Sequence, residues 1–457
     1  VEDKRQIDDA QGNLTEAIAA AHRAVALDPD SLEMRQALID LQLRAEQPQE
    51  ARAQLDTLIA RWPDDPWGHL TLGNLALDLG QNGVAIERFA SLVELRPRLA
   101  AGYHRLGAAY KAAGQLQEAY DTYTTCTRTH SDAPGCWLQR ITTLEQLDPH
   151  AVEADVRLMA QALGQRATIA QATCSKLLSA HHLSTLTLFV HHASQRDPKR
   201  RDLYFYVGLG HLRDDDHAGA VDALAQVPAS SELYLESRAK LAISLSELNR
   251  HAEAVAALDQ ALHHNPDTVQ LWSLKAALQE RAKQPRAALR TLEQAAERFP
   301  DQPQLHDRIA AVAWELAKPR RARIALERKL ELIPNDIQTL NFLGYLLAEQ
   351  GTQLSRAEAL LQQAIALRAQ PDGTLSDTLG WIYHRMGRHA DAIAHLETAV
   401  SLLPGEPRVL EHLGDAYHAT GQVDLALAHY RRALKVARGH TLQKGLRRKI
   451  KTLSASR

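Results

Sequence analysis

The chain is poor in large rings, in cysteine and in net charge. Of its 457 residues only five are Phe, and aromatics make up 5% although apolar residues make up 45%. A core with so few rings must be thin and repeated, packed mainly with Ala and Leu. The formal charge of −2 gives no chain-wide electrostatic case for nucleic acid. No apolar run approaches the roughly 18 residues of a membrane-spanning helix. Three cysteines, Cys126, Cys136 and Cys174, are too few and odd in number for a disulfide framework. No C-x-x-C motif and no cluster of Cys and His along the sequence points to zinc. Cys126 and Cys136 can meet across a helix junction, but free buried thiols are the expectation.

The familiar catalytic signatures are missing as well: G-x-S-x-G, G-x-x-x-x-G-K-[ST] and H-E-x-x-H do not occur. Gly208-x-Gly210 falls within a helical register and not after a strand. Asp214-Asp215-Asp216-His217 falls at a turn, where acids favour the next helix N-terminus. Neighbouring histidines such as His263-His264 point about 100° apart on a helix and do not chelate as a pair. The expectation is a non-enzyme with no cofactor and no metal.

What the chain has is a period, and periods of this length decide the fold. Stepping back from Gly414 by 34 residues reaches Gly380, and 36 more reach Gly344. Further steps of 34 reach Ala310, Ala276, Ala242 and Gly208. Ile141, Gly107, Gly73 and Ile39 form a second series, also at steps of 34, with room for one more unit near Cys174. A small residue follows twelve positions after most anchors, as at Ala51, Ala85, Ala119, Ala288, Ala322, Ala392 and Ala426. Prolines close many units, among them Pro63, Pro97, Pro266, Pro300 and Pro404. Twelve units result, eleven clear and one degenerate.

Each unit reads as two helices with apolar residues at three- and four-residue spacing. The small residues act as spacers that set the distance between paired helices. Gly80, Gly114, Gly387 and Gly421 sit at the turn inside a unit, where a helix end favours positive φ. No unit buries its own face, so stability comes from stacking on neighbours.

Tyr103-x-x-Leu106-Gly107-x-x-Tyr110 followed by Ala119-x-x-x-Tyr123 resembles the tetratricopeptide repeat pattern. Leu413-Gly414-x-x-Tyr417 followed by Ala426-x-x-x-Tyr430 resembles it too, and the match covers nearly the whole chain. The resemblance implies an all-α, right-handed superhelical solenoid of about twelve helical hairpins, with first helices lining a concave groove. It implies a protein-interaction scaffold whose partner is a protein or peptide. The last three repeats, "NFLGYLLAEQG", "DTLGWIYHRMGR" and "EHLGDAYHATG", are similar to bacterial tetratricopeptide proteins of the periplasm and outer membrane. Some of those are lipoprotein adaptors for carboxyl-terminal processing proteases. The substrate arm of a larger enzyme such as a glycosyltransferase, and a polysaccharide-export scaffold, are the alternatives.

Positions three before and one after each anchor share one helix face and are expected to line the groove. In the C-terminal part they are Asn341 and Tyr345, Asp377 and Trp381, and Glu411 and Asp415. Trp314, His384, Arg385 and His418 extend the row. A tryptophan beside an anchor also suits the junction between repeats, so Trp381 has a packing alternative. The N-terminal row is smaller: Trp67, Asn74, His104 and Lys111, with Leu70 where a peptide-carboxylate clamp of this family places Lys.

The expected organisation is an N-terminal arm over 1–146, beginning with a half repeat, a degenerate joint over 147–198, a second arm over 199–436 and a basic capping helix over 437–457. No acid follows Asp424, and the ten Lys and Arg that do, ending at Arg457, suit an end cap. Contact with an anionic membrane surface is the sharper alternative. The half repeat and the initial Val suggest removed upstream sequence, and the resemblance to envelope lipoproteins implies a lipid anchor there. A missing signal peptide therefore says nothing about compartment.

Overall fold

The computed structural model describes residues 2–455, with side chains from residue 14 onward. Among these residues the secondary structure is 26 α-helices and two short 3-10 helices, with no strand. Setting aside the first helix, Glu2–Leu27, and the last, His440–Ala455, leaves 24 helices, or twelve consecutive first-and-second pairs. The sequence count of twelve is met. The opening helix runs unbroken from Glu2 to Leu27, with no turn at Gly12.

The helices form two compact units, Val1–Leu248 and Asn249–Arg457. The boundary falls in the turn after the helix Tyr234–Glu247. The segment 147–198, expected as a joint, lies inside the first unit. Hairpins continue through it: Ala167–Ser179 and Leu183–Arg196 form the pair around Cys174, which is fully buried in the anchor place.

The irregularity in that stretch begins at Asp148. Eleven of the twelve turns inside a pair hold a residue at positive φ; they are at Glu46, Gly80, Gly114, His181, Asp215, Asn249, Lys283, Ala317, Gly351, Gly387 and Gly421. The turn at Asp148 does not, and a 3-10 turn over Pro149–Ala151 replaces it. The second helix Val152–Leu163 then packs on the next second helix, Leu183–Arg196. A buried network secures the join. Arg140 donates to Asp155 at 2.6 Å and to Thr127 at 3.1 Å, and the Tyr120 hydroxyl donates to Asp155 at 3.1 Å. Pairing of both terminal guanidinium nitrogens, with Asp155 as counter-charge, makes a buried charge tolerable there.

The anchors act as spacers by a single rule. A Cβ on Gly107 would lie 2.3 Å from the Tyr123 ring, and one on Gly414 would lie 2.5 Å from Tyr430. Gly73 meets Phe89 and Gly380 meets Leu396 in the same way. In each case the second-helix residue is sixteen positions on, and the three rings among them all face glycine. Where the anchor is Ala276 or Ala310, the residue sixteen on is a buried leucine, Leu292 or Leu326. Rings are thus met by glycine, while leucine is met by either glycine or alanine, and the interhelix gap stays filled.

A second device ties five of the first helices to the loop before them. Four residues ahead of the anchor, a ring donor reaches the carbonyl six residues back in the chain. Tyr103 reaches Pro97 at 3.1 Å, Trp137 reaches Ser131 at 3.0 Å and Trp272 reaches Pro266 at 2.9 Å. His69 and His306 make the same contact with Pro63 and Pro300. On the second helices, ion pairs run from repeat to repeat: Arg321 to Glu293 at 3.0 Å, Arg356 to Glu327 at 2.7 Å and Arg388 to Glu358 at 3.1 Å.

Candidate functional site

Four consecutive first helices carry the site in the second unit: Pro303–Glu315, Ile337–Gln350, Gly373–Arg385 and Pro407–Ala419. Their starts are fixed by local chemistry. Asp336 caps the second by accepting from the Thr339 amide at 3.0 Å, and Asp372 caps the third through the Thr374 and Leu375 amides. Proline supplies the first residue of the other two. Leu343, Leu379 and Leu413 turn inward from these helices and are almost fully buried. The anchor-plus-one positions are left at the half-buried edge of the stack.

Side chains there form a connected row. Trp314 meets Phe342 edge-on at 6.1 Å and Tyr345 at 6.0 Å. Tyr345 lies 6.5 Å from His412, which stacks on Trp381 at 4.4 Å with planes 18° apart. Trp381 stacks in turn with His384 at 5.0 Å, and its indole N–H donates to Glu349 at 2.8 Å. The Arg385 guanidinium lies 5.9 Å from the Trp381 ring centre. Thus Trp314, Tyr345, Trp381 and His384 are brought together from three repeats, with His412 of a fourth between them. The packing alternative for Trp381 is met in part, since it contacts the next repeat through His412 while remaining half-exposed.

His412 and Glu349 are the members that sequence reasoning missed. His412 sits two residues before its anchor, outside the two positions per repeat read as groove-facing. A signal existed: His412 is 35 residues after Asp377, one period on, and its Nδ1 stands 2.9 Å from Asp377 Oδ1. Asp377 is therefore largely buried and engaged, not free in the groove.

The last two expected groove acids are covered. Lys449, from the helix His440–Ala455, donates to Glu411 at 2.8 Å and to both Asp415 oxygens at 2.7 Å. Tyr430 also donates to Asp415 at 2.6 Å. The expected capping helix thus closes the end of the row by bridging two carboxylates with one ammonium, while Arg408 pairs with Glu411 at 3.3 Å. His418 stays exposed, beside a cavity lined by Asp415, Tyr430, Arg448 and Lys449.

Burial sets the electrostatics. It pushes the Tyr345 hydroxyl up to about 12, with Glu349 adding to the effect. It pushes His384 down to about 4, helped by His389, His412 and Arg385 and opposed by Asp415. At neutral pH His384 is therefore uncharged. Asn341 Oδ1 and His384 Nδ1 are buried without a hydrogen-bond partner in the chain. Such groups are rare in folded proteins.

The N-terminal residues do not form a comparable row. Trp67 packs against the core cluster of Ile39, Leu55 and Leu72. Asn74 lines a separate cleft with Leu43, Glu46 and Asp78. Lys111 is half-buried near the end of the helix Ala100–Ala112. His104 points elsewhere: its Nε2 lies 3.8 Å from the Cys136 sulfur. Burial, then Lys176, His130 and Arg105, holds its pKa below the usual histidine value.

Two cysteine expectations are corrected. Cys126 and Cys136 are joined by a disulfide, and they do form a cluster with a histidine. The bond joins the last turn of Leu116–Thr129 to the first turn of Pro134–Leu147, while His104 comes from the preceding first helix. No linear motif shows a cluster assembled from three helices. Cys174 is a buried free thiol, as expected.

A second surface lies on the opposite helix set. A cleft of about 670 Å³ between the second helices Pro285–Arg298 and Pro319–Leu332 has Ile324, Ala296 and Ile309 in its lining. Glu293, Glu297, Glu327 and Glu331 line it too, with Arg321 and Arg328. No described helix is long and apolar enough to cross a membrane.

Comparison with known proteins bears on what such a stack is. Tetratricopeptide repeat models match residues 10–75 and, separately, 70–133, 239–303 and 378–440. Together they span more than half of the chain. A TPR repeat-containing protein of Pseudomonas aeruginosa is 28% identical over 213 residues, which is 46% of this chain and 36% of that protein. The match thus spans about a third of that relative's length. A tetratricopeptide repeat protein from Parabacteroides merdae superposes with a TM-score of 0.40 at 15% identity, covering 56% of this chain and 98% of its own. MamA from Desulfovibrio magneticus gives 0.33 at 23% identity, covering 37% and 95%. Repeats of this kind build protein–protein interaction scaffolds. With the period, the spacer glycines and the matched segments in agreement, the chain belongs to the tetratricopeptide repeat family.

Proposed function

We propose that the first-helix face of the second unit binds a segment of a partner protein, with Trp381, Tyr345 and Trp314 as its apolar anchors. The observation that supports this is the row itself: half-buried rings at repeat pitch, stacked from one repeat to the next. Rings held by stacking lose little freedom on binding, so their contact area converts efficiently into affinity. Arg385 and His418 border the row and select for complementary charge. The N-terminal residues Asn74 and Lys111 belong to a secondary surface.

The finer reading is an adaptor of the bacterial envelope that serves a carboxyl-terminal processing protease. It rests on the resemblance of the last three repeats to such adaptors. A Trp381→Ala/Tyr345→Ala chain and the wild type are to be compared for capture of crosslinked partners in native cells. The proposal expects the wild type to enrich a discrete partner, an envelope protease on the finer reading, and the variant to lose it while remaining folded. Equal capture by both chains overturns it.

A further inference from the structure

We propose that Cys126, Cys136 and His104 form a binding site for a zinc-class divalent cation once the Cys126–Cys136 disulfide is reduced. The site lies in the first unit, far along the chain from the row of rings, and does not depend on the peptide-binding reading.

The donors converge from three helices. His104 stands on Ala100–Ala112, Cys126 in the last turn of Leu116–Thr129 and Cys136 in the first turn of Pro134–Leu147. Their ligand atoms all lie within 4.8 Å of one another, and His104 Nε2 is 3.8 Å from the Cys136 sulfur. Around tetrahedral zinc, bonds of about 2.3 Å to sulfur and about 2.0 Å to nitrogen place neighbouring donors roughly 3.5–3.8 Å apart. The nitrogen–sulfur pair already has that span. With Cα atoms 5.7 Å apart, rotation of the two cysteine side chains separates the sulfurs once the bond between them is broken.

A disulfide alone has no use for the third donor. His104 is nevertheless pressed against the sulfur, because Gly135 leaves the space that the imidazole fills. A Cβ on Gly135 would lie 3.0 Å from His104 Cε1. Both cysteines are fully buried among Tyr103, Val93, Ala100 and Ala133, while the half-buried His104 keeps one side of the cluster within reach of water. Two thiolates and a neutral imidazole there match the charge of a divalent cation and the preference of zinc for sulfur and nitrogen.

The chemistry balances without a hidden reactant. A dithiol reductant gives two electrons and two protons to the Cys126–Cys136 bond and becomes a disulfide itself. The cation then displaces one proton from each thiol to solvent, takes the His104 Nε2 lone pair, and keeps its oxidation state. Water completes the fourth position. The same three residues thus hold either a covalent bond or a metal, and the thiol poise of the compartment selects between them.

Zinc ion titrated into the full-length chain, against a chromogenic chelator and under anaerobic conditions, tests this. The reduced wild type is expected to bind one equivalent more than Cys126→Ser, and the oxidised wild type none more. His104→Ala, on a half-buried side chain, is expected to weaken that equivalent by roughly tenfold or more without moving the metal-free melting temperature. Cobalt in place of zinc reports sulfur ligation by its thiolate charge-transfer band. Reduced wild type that binds no more zinc than Cys126→Ser overturns the proposal. So does His104→Ala binding as tightly as wild type.

Discussion

His412 lies flat against Trp381, 4.4 Å between ring centres, while its Nδ1 meets the Asp377 carboxylate at 2.9 Å. Two adjacent repeats are joined through that one imidazole. An ionised carboxylate only accepts, so Nδ1 carries the proton and the ring orientation is fixed. The tryptophan is thereby held in one pose at the edge of the stack, and a preset ring is what a binding surface needs.

Removing that imidazole separates structure from binding. His412→Ala leaves Asp377 buried without its partner and is expected to cost about 1–3 kcal/mol in urea unfolding. Trp381→Ala removes a half-exposed ring and is expected to cost less than His412→Ala while abolishing partner capture. A larger stability loss for Trp381→Ala would assign that ring to packing.

The spacer rule predicts a compensating pair. Gly107→Ala places a methyl group into the Tyr123 ring and is expected to cost about 1–3 kcal/mol. In a Tyr123→Leu background the same change should cost much less, because alanine anchors elsewhere face leucine, as Ala310 does with Leu326. A double-mutant cycle measures the coupling. Additive costs would refute the rule.

Turn residues offer a gain. Ala317 holds φ at 51° and Lys283 at 58°, a region that costs an L-residue roughly 1–2 kcal/mol. Ala317→Gly relieves this but loosens the unfolded chain, so a net gain of about 0.5–1 kcal/mol is expected. Thermal melts of Ala317→Gly and Lys283→Gly check it.

Acid should weaken the second unit through His384. Its folded pKa of about 4 lies below the roughly 6.5 of an unfolded histidine, so the unfolded state takes up the proton first. The contribution is complete above about pH 6.5 and is lost as pH falls toward 4. His395 and His429 are lowered by burial as well, so His384→Gln should shrink the melting-temperature drop between pH 7 and 5 without abolishing it. An unchanged drop would contradict the assignment.

Lys449→Ala strips the cation from Asp415 and leaves Glu411 with Arg408 alone. The exposed part of the ammonium discounts the loss to about 1–3 kcal/mol, felt at the end of the unit. Limited proteolysis should cut first between Val436 and His440. Uniform resistance would show that the helix is held by Leu446 and Leu453 alone.

The repeat was legible because it is written in spacings that a linear reading measures. Gly73, Gly107, Gly380 and Gly414 recur in register, and at Gly73, Gly107 and Gly414 the glycine identity follows from the ring sixteen residues on. Contacts between repeats were less legible. His412 reaches back 35 residues to Asp377, and Lys449 reaches back 34 to Asp415. Each joins residues that no single repeat displays together. The Cys126–Cys136–His104 cluster escaped for the same reason, since its donors come from three helices. The positive-φ turns at Glu46, Lys283 and Ala317 carry no glycine and so gave no signal.

The account stands most directly on which helix face meets the partner. A photo-crosslinking residue placed at Arg385, beside Trp381, and another at Ile324, in the second-helix cleft, measure this in living cells. The account predicts a discrete adduct from position 385 that disappears when Trp381→Ala is added, and none from position 324. An adduct from 324 alone, or one from 385 that survives Trp381→Ala, would contradict it.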